Sequence, residues 1–300
     1  RECMEYTKMP IDISEQISIL KNHGLVIGDV AAALLHFSNI SYFRLASYWK
    51  TFEIDPASHE LVTGTSLHDV LSLYTFDREL RGVIFAAIQD IEIALRTRII
   101  HHFSMAHGAF WFMNDALFSD IKIFQRCLYS LQNEVERSKE DFILEHFKKY
   151  DLPPMPPVWK TLEVASFGTL SKLYCNMADT FAKKSVSKSF GLPQYKYLES
   201  WIRSITVLRN CCAHHARIWN RRFPLMPCLP KTLPLDWIES KQVPSMKLYA
   251  LLSAILYLEQ SISVNSSVKE RLLALIEFLP RGRLKAMGFP EDWQKQDLWR

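Results

Sequence analysis

The chain has little glycine, 9 residues in 300, and gathers most of its 14 prolines into short clusters. Long segments are left free of strong breakers, which favours helix over tightly turned sheet. No run reaches the roughly eighteen apolar residues that a bilayer-spanning helix requires, so no membrane partner is expected. Nothing at the start reads as a signal peptide, and the expected location is the cytoplasm. There is no CxxC pair. The six cysteines (Cys3, Cys127, Cys175, Cys211, Cys212 and Cys228) are scattered, and only Cys211 and Cys212 are adjacent. That pattern suits reduced core thiols better than a disulfide framework. A zinc site on Cys211, Cys212, His214 and His215 is not expected, because four neighbours on one helix point around the cylinder and do not converge on a tetrahedron. No metal and no cofactor are expected. Excess charge of one sign is also lacking: the net charge is +4, which permits a polyanionic partner without demanding one.

What is present is helical patterning around 48% hydrophobic residues, enough for a packed core. "DISEQISILKNH" (12–23) opens on an Asp cap and stops at Gly24, and two short helices follow, the first capped by Asp29. "EIDPASHELVTGTS" reads as a loop with room for a short hairpin. A long helix starts at Ser66, with Asp69 as its capping partner. Leu73, Leu80, Ile84, Ala87, Ile91 and Leu95 form its apolar stripe, and a break near Asp77 is expected. Residues 120–150 read as one more helix, closed by the hinge "DLPPMPPVW". Then come "VWKTLEVASFGTLSKLYCNM", a basic stretch, and a helix over about residues 195–220. A proline-rich connector, two closing helices and an extended, aromatic tail complete an all-α chain. The expected division is an N-terminal helical region, 1–63, and a helical domain, 64–300.

The helix over 195–220 carries the chemistry. At about 100° per residue, Trp201, Ile205, Leu208, Cys212, His215 and Trp219 share one side, which makes a core stripe with His215 as a hydrogen-bonded core imidazole. The other side gathers Arg203, Thr206, Asn210, His214, Arg217 and Arg221. No carboxylate occurs between Arg203 and Arg222, whereas ordinary exposed faces mix both signs. Arginines around one histidine make a phosphate-sized positive field. An RNA phosphodiester brings its own nucleophile, the 2′-OH. Its cleavage requires a group that moves protons near neutral pH, which a histidine does, and cations to hold the charge of the phosphorane.

"RNCCAH" (209–214) fits R-N-x-x-x-H and resembles the signature of HEPN ribonucleases. The wider chain resembles the Abi-like (abortive infection, AbiD/AbiF-type) bacterial family through five blocks in order: "ISYFRLASYWKTF", "LYTFDRELRGVIFAAIQDIEIALRTRI", "PPVWKTLEVASFGTLSKLYCN", "LRNCCAHHARIWNRRF" and "MGFPEDW". The resemblance implies a HEPN-type helical bundle with an N-terminal helical extension and a C-terminal tail. It also implies a metal-independent endoribonuclease active in phage defence, or as a toxin held silent by an antitoxin, which can itself be an RNA. It implies Arg209, Asn210 and His214 as site residues, and a homodimer with two motifs across one cleft.

An acidic residue on an earlier helix often joins such sites. Glu92 is the candidate, with Arg96 four residues on; a purely structural pair is the equal alternative. Arg203, Arg217, Arg221 and Arg222 are the candidate RNA-binding cations. Asp77 and Arg81 read as a structural pair, and His101 and His102 as caps at the end of the long helix. The alternative function is a non-catalytic protein that grips structured RNA with the same basic face, aided by stacking from "SYFRLASYWK" unless those aromatics are core.

Overall fold

The longest element begins where Ser66 and Asp69 satisfy each other. The Ser66 N–H donates to Asp69 Oδ2 at 2.9 Å, and the Asp69 N–H donates to Ser66 Oγ at 3.2 Å. Such a reciprocal cap supplies partners for two of the four N–H groups that a helix start leaves bare. In the computed structural model, which describes residues 5–7, 9–239, 243, 246–263 and 266–300, the helix then runs unbroken for 41 residues. Cys3 and Ser245, the first residue of the expected closing helix, lie outside the described residues.

In chain order the helices are α1 (Ile13–Asn22), α2 (Val30–Asn39), α3 (Tyr42–Trp49), α4 (Leu67–His107), α5 (Ile121–Glu136), α6 (Asp141–Lys149) and α7 (Val158–Thr161). They continue with α8 (Phe167–Asn176), α9 (Thr180–Ser189), α10 (Tyr195–Ala213), α11 (Leu248–Gln260), α12 (Val268–Ile276) and α13 (Arg281–Met287). Among the described residues the only sheet is a two-stranded antiparallel hairpin, β1 (Glu53–Asp55) with β2 (Glu60–Leu61). The protein is all-α, and none of its described helices is long and apolar enough to cross a membrane.

The chain divides into two compact units, one ending at Glu79 and the other beginning at Leu80. In the first, α1 and α2 start on the expected Asp12 and Asp29 caps. Tyr48 and Trp49 are buried, so two of the aromatics of "SYFRLASYWK" are core, while Phe43 is 83% exposed. Asp77, fully buried, receives the Tyr48 hydroxyl at 2.7 Å. A buried carboxylate with that bond need not distort the backbone, and the expected break there does not occur.

In the second unit α10 is packed against α8, α9 and α11. Trp201, Ile205 and Leu208 are fully buried, each such side chain contributing about 1.5–3 kcal/mol. The Trp201 ring stacks on Trp237 at 5.4 Å and meets Tyr257 edge-on at 5.6 Å. The stripe expected on α4 is buried throughout. The helix expected over 120–150 is instead two, α5 and α6, because Arg137 caps α5 and Ser138 turns the chain. The tail does fold back, with Trp299 stacked on Tyr249 at 5.4 Å, but α13 and two short 3-10 turns replace the expected extended run.

Candidate functional site

Two corrections change the geometry read from the sequence. First, α10 ends at Ala213, not near residue 220. His214 is the cap residue, and His215 takes the left-handed conformation with φ 56°. The His215 N–H donates to the Cys212 carbonyl, and the Ala216 N–H reaches back to the Cys211 carbonyl at 2.9 Å. These are the two bonds of a Schellman close, which normally places Gly or Asn where His215 stands. The basic ridge is therefore helical only as far as Asn210. Arg217, Arg221 and Arg222 belong to the irregular segment behind the turn, and His215 is exposed and not part of the core. Arg81, 5% exposed, secures this turn by donating to the Ala216 carbonyl at 3.4 Å.

Second, α4 continues past His101 and His102 to His107, so those two histidines are not its end. Their rings meet edge-on at 5.0 Å. Burial, then the neighbouring His101 and Arg98, push the His102 imidazole below its ordinary value. The last turn of α4 instead carries His107, which bonds the Asp179 carboxylate at 2.8 Å.

Glu92 and Arg96 line one cavity of about 240 Å³ between α4 and α10 together with Arg209, which is distant from them in sequence. Arg96 is buried and donates from Nη2 to both Glu92 Oε1 and the Ala165 carbonyl, each at 3.0 Å. The carboxylate of Glu92 is thus held in place, and its other oxygen has no hydrogen-bond partner among the described residues. Arg209 lies with its guanidinium carbon 5.7 Å from the Phe85 ring centroid, a cation–π arrangement. Its Nε is buried without a hydrogen-bond partner, and among the described residues no carboxylate lies within ion-pair distance of it. Buried polar atoms are nearly always paired, and this nitrogen is an exception, as are the Nε atoms of Arg96 and Arg221.

Asn210 and His214 are exposed and one turn apart, with the His214 N–H donating to the Asn210 carbonyl at 3.0 Å. Neither lines the cavity. Arg203 belongs elsewhere: its Nε donates to Cys175 Sγ at 3.3 Å, and it lines a separate cavity with Lys172 and Ser171. Arg221 donates to the Arg217 carbonyl at 3.4 Å.

Three residues near these cations escaped the sequence reading. Lys247 donates to Asn220 Oδ1 at 2.9 Å. Burial, then Arg222 and Arg217, hold its ammonium below the usual lysine value, so these three cations share one region of the surface. That grouping is long-range and left no local signal. Phe85 and Gln89 did leave one: with Glu92 and Arg96 they repeat at steps of four, three and four, which is one face of a helix.

No curated protein and no solved structure matches the chain. Residues 36–220, more than half of its length and including every candidate on α4 and α10, match the family described as Abi-like protein. The chain therefore belongs to the Abi-like protein family.

Proposed function

We propose that this protein is a metal-independent endoribonuclease of the HEPN type that serves phage defence by abortive infection, or acts as a toxin restrained by an antitoxin. His214 takes the proton from a substrate 2′-OH. The new 2′-O–P bond forms as the P–O5′ bond breaks, and the proton passes to the departing 5′-oxygen. Arg209 neutralises the phosphorane, and Asn210 orients it. The products are a 2′,3′-cyclic phosphate and a 5′-OH. Glu92, fixed by Arg96, faces the same cavity as Arg209.

The observation that carries this reading is the Arg209 guanidinium: a cation that lines the cavity with no carboxylate paired to it among the described residues, beside a helix end that exposes Asn210 and His214. Arg209 and His214 are five residues apart, so they diverge around α10. A two-fold copy of the chain brings a second Arg and His to the same phosphate, which makes an isologous homodimer the working form.

His214→Ala tests the assignment. An exposed side chain leaves the fold intact, so the variant should keep its circular dichroism and melting temperature while cleavage and cellular toxicity vanish. Toxicity at the wild-type level removes His214 from the reaction.

A second reading has its own support. Arg217, Arg222 and Lys247 share a surface, as a site that grips an RNA backbone without cutting it would. Salt-dependent RNA binding by the wild-type chain, with no cleavage product, would favour it.

A further inference from the structure

The geometry points to the cavity between α4 and α10 as a nucleobase pocket that selects an amino-bearing base, adenine first, next to the scissile phosphate. This rests on the proposed reading in taking RNA as the ligand, and its placement beside the scissile phosphate rests on the role proposed for Arg209. At about 240 Å³ the cavity is smaller than the roughly 300 Å³ at which drug-sized ligand sites begin, and it suits one small planar group.

Three of its seven lining residues, Phe85, Ile88 and Ile93, are apolar, which a site for phosphate alone does not need. Ile88, fully buried, and Phe85, half-buried, form an apolar part of its lining. Ile93, 58% exposed, stands at the rim. A flat ring system gains from aromatic and aliphatic faces of this kind, whereas a phosphate would be desolvated against them.

Polar groups then set the choice of base. Gln89 is exposed and its carboxamide makes no hydrogen bond among the described residues, so it offers a donor and an acceptor side by side. That pair matches the N7 acceptor and N6 amino donor of adenine. Glu92, one turn on, has one oxygen committed to Arg96. Its other oxygen, while ionised, only accepts, so it favours an exocyclic amine and repels the carbonyl oxygens of uracil. Arg209 closes the cavity from α10, which sets the base beside the cation assigned to the phosphorane.

The test uses the full-length His214→Ala protein, so that RNA survives, with fluorescein-labelled oligo(A) and oligo(U) ribonucleotides read by anisotropy. The expected result is tighter binding of oligo(A) by about tenfold, a preference that Gln89→Ala abolishes. Phe85→Ala should weaken both RNAs by about tenfold and leave their ratio unchanged. Equal affinity for the two RNAs, or a preference that survives Gln89→Ala, overturns the inference. Cleavage by the otherwise wild-type chain whose sites are the same with and without Gln89→Ala overturns the pocket alone. A preference for oligo(A) in a chain that never cleaves leaves the pocket standing and removes the nuclease reading.

Discussion

Arg96 and Glu92 stand one turn apart on α4, 3.0 Å from nitrogen to oxygen, with side chains only 10% and 16% exposed. The same guanidinium nitrogen also donates to the carbonyl of Ala165, beyond the end of α7. Arg96 thus joins two parts of the fold while fixing a carboxylate at the cavity. Removing it leaves both the carboxylate and the carbonyl short of a donor. Arg96→Ala should cost about 2–3 kcal/mol in urea unfolding, below the range for a wholly buried pair because these side chains retain some solvent. Glu92→Gln alone should cost much less, and the double variant should be less destabilised than the sum of the two. Additive effects would show that the pair is not coupled.

Among the described residues the guanidinium of Arg209, unlike that of Arg96, has no acceptor of its own. A lysine at position 209 keeps the charge but loses the planar fork. Arg209→Lys should hold stability within about 1 kcal/mol, the scale of the exchanged cation–π contact with Phe85. Cleavage, measured as kcat on a short RNA, should fall by about 10²-fold. A lysine variant of undiminished rate would reduce Arg209 to a point charge.

Much of the fold was legible because its signals are local. The Asp12, Asp29 and Ser66 caps start their helices where the chain announces them, and the α4 stripe from Leu73 to Leu95 is buried as its spacing requires. The end of α10 was not legible. No glycine marks it; His215 adopts φ 56° within the tertiary structure, and a period of 3.6 continued on paper carried the basic face two turns too far. The meeting of Glu92 and Arg96 with Arg209 depends on how α4 and α10 approach, which no window of sequence contains. Lys247 was missed for the same reason.

The grouping of Lys247 with Arg222 and Arg217 sets an expectation for RNA binding. Each phosphate neutralised releases counterions, and losing one contact on a single strand lowers the slope of log affinity against log salt by about 0.7. Lys247→Ala should show that reduction in titrations of the His214→Ala protein, with all sequences weakened alike. An unchanged slope would place the RNA elsewhere.

Acid should weaken the second unit in two stages. The His102 imidazole is held below its ordinary 6.5 by burial, His101 and Arg98. An unfolded chain then binds that proton first, so stability falls as pH drops below about 6.5 and the loss is complete below the folded value. Burial pushes the Asp179 carboxyl up, but the His107 hydrogen bond and the N–H groups of Ala182 and Phe181 outweigh it and hold it below its ordinary 3.8. Its contribution is present above that value and is lost as pH falls through the lower, folded one. Melting temperatures from pH 7 to pH 3 should therefore show an early decline that His102→Phe removes and a late one that Asp179→Asn removes. Identical curves for wild type and both variants would mean that neither group governs acid stability.

The turn behind α10 offers the sharpest structural test, because one residue bears its strain. His215 occupies a left-handed conformation that β-branched residues resist and asparagine tolerates. Both His215→Val and His215→Asn delete the imidazole, so whatever its ring contributes is lost equally, and their difference reports the backbone. His215→Val should be less stable than His215→Asn by about 1–3 kcal/mol. The effect should reach function, since the same turn fixes His214 on one side and leads to Arg217, Arg221 and Arg222 on the other, with Arg81 fastened to Ala216 between them. At a temperature where both variants remain folded, His215→Val should cleave more slowly and His215→Asn at close to the wild-type rate. Equal stability of the two would mean that the chain leaves α10 by another path.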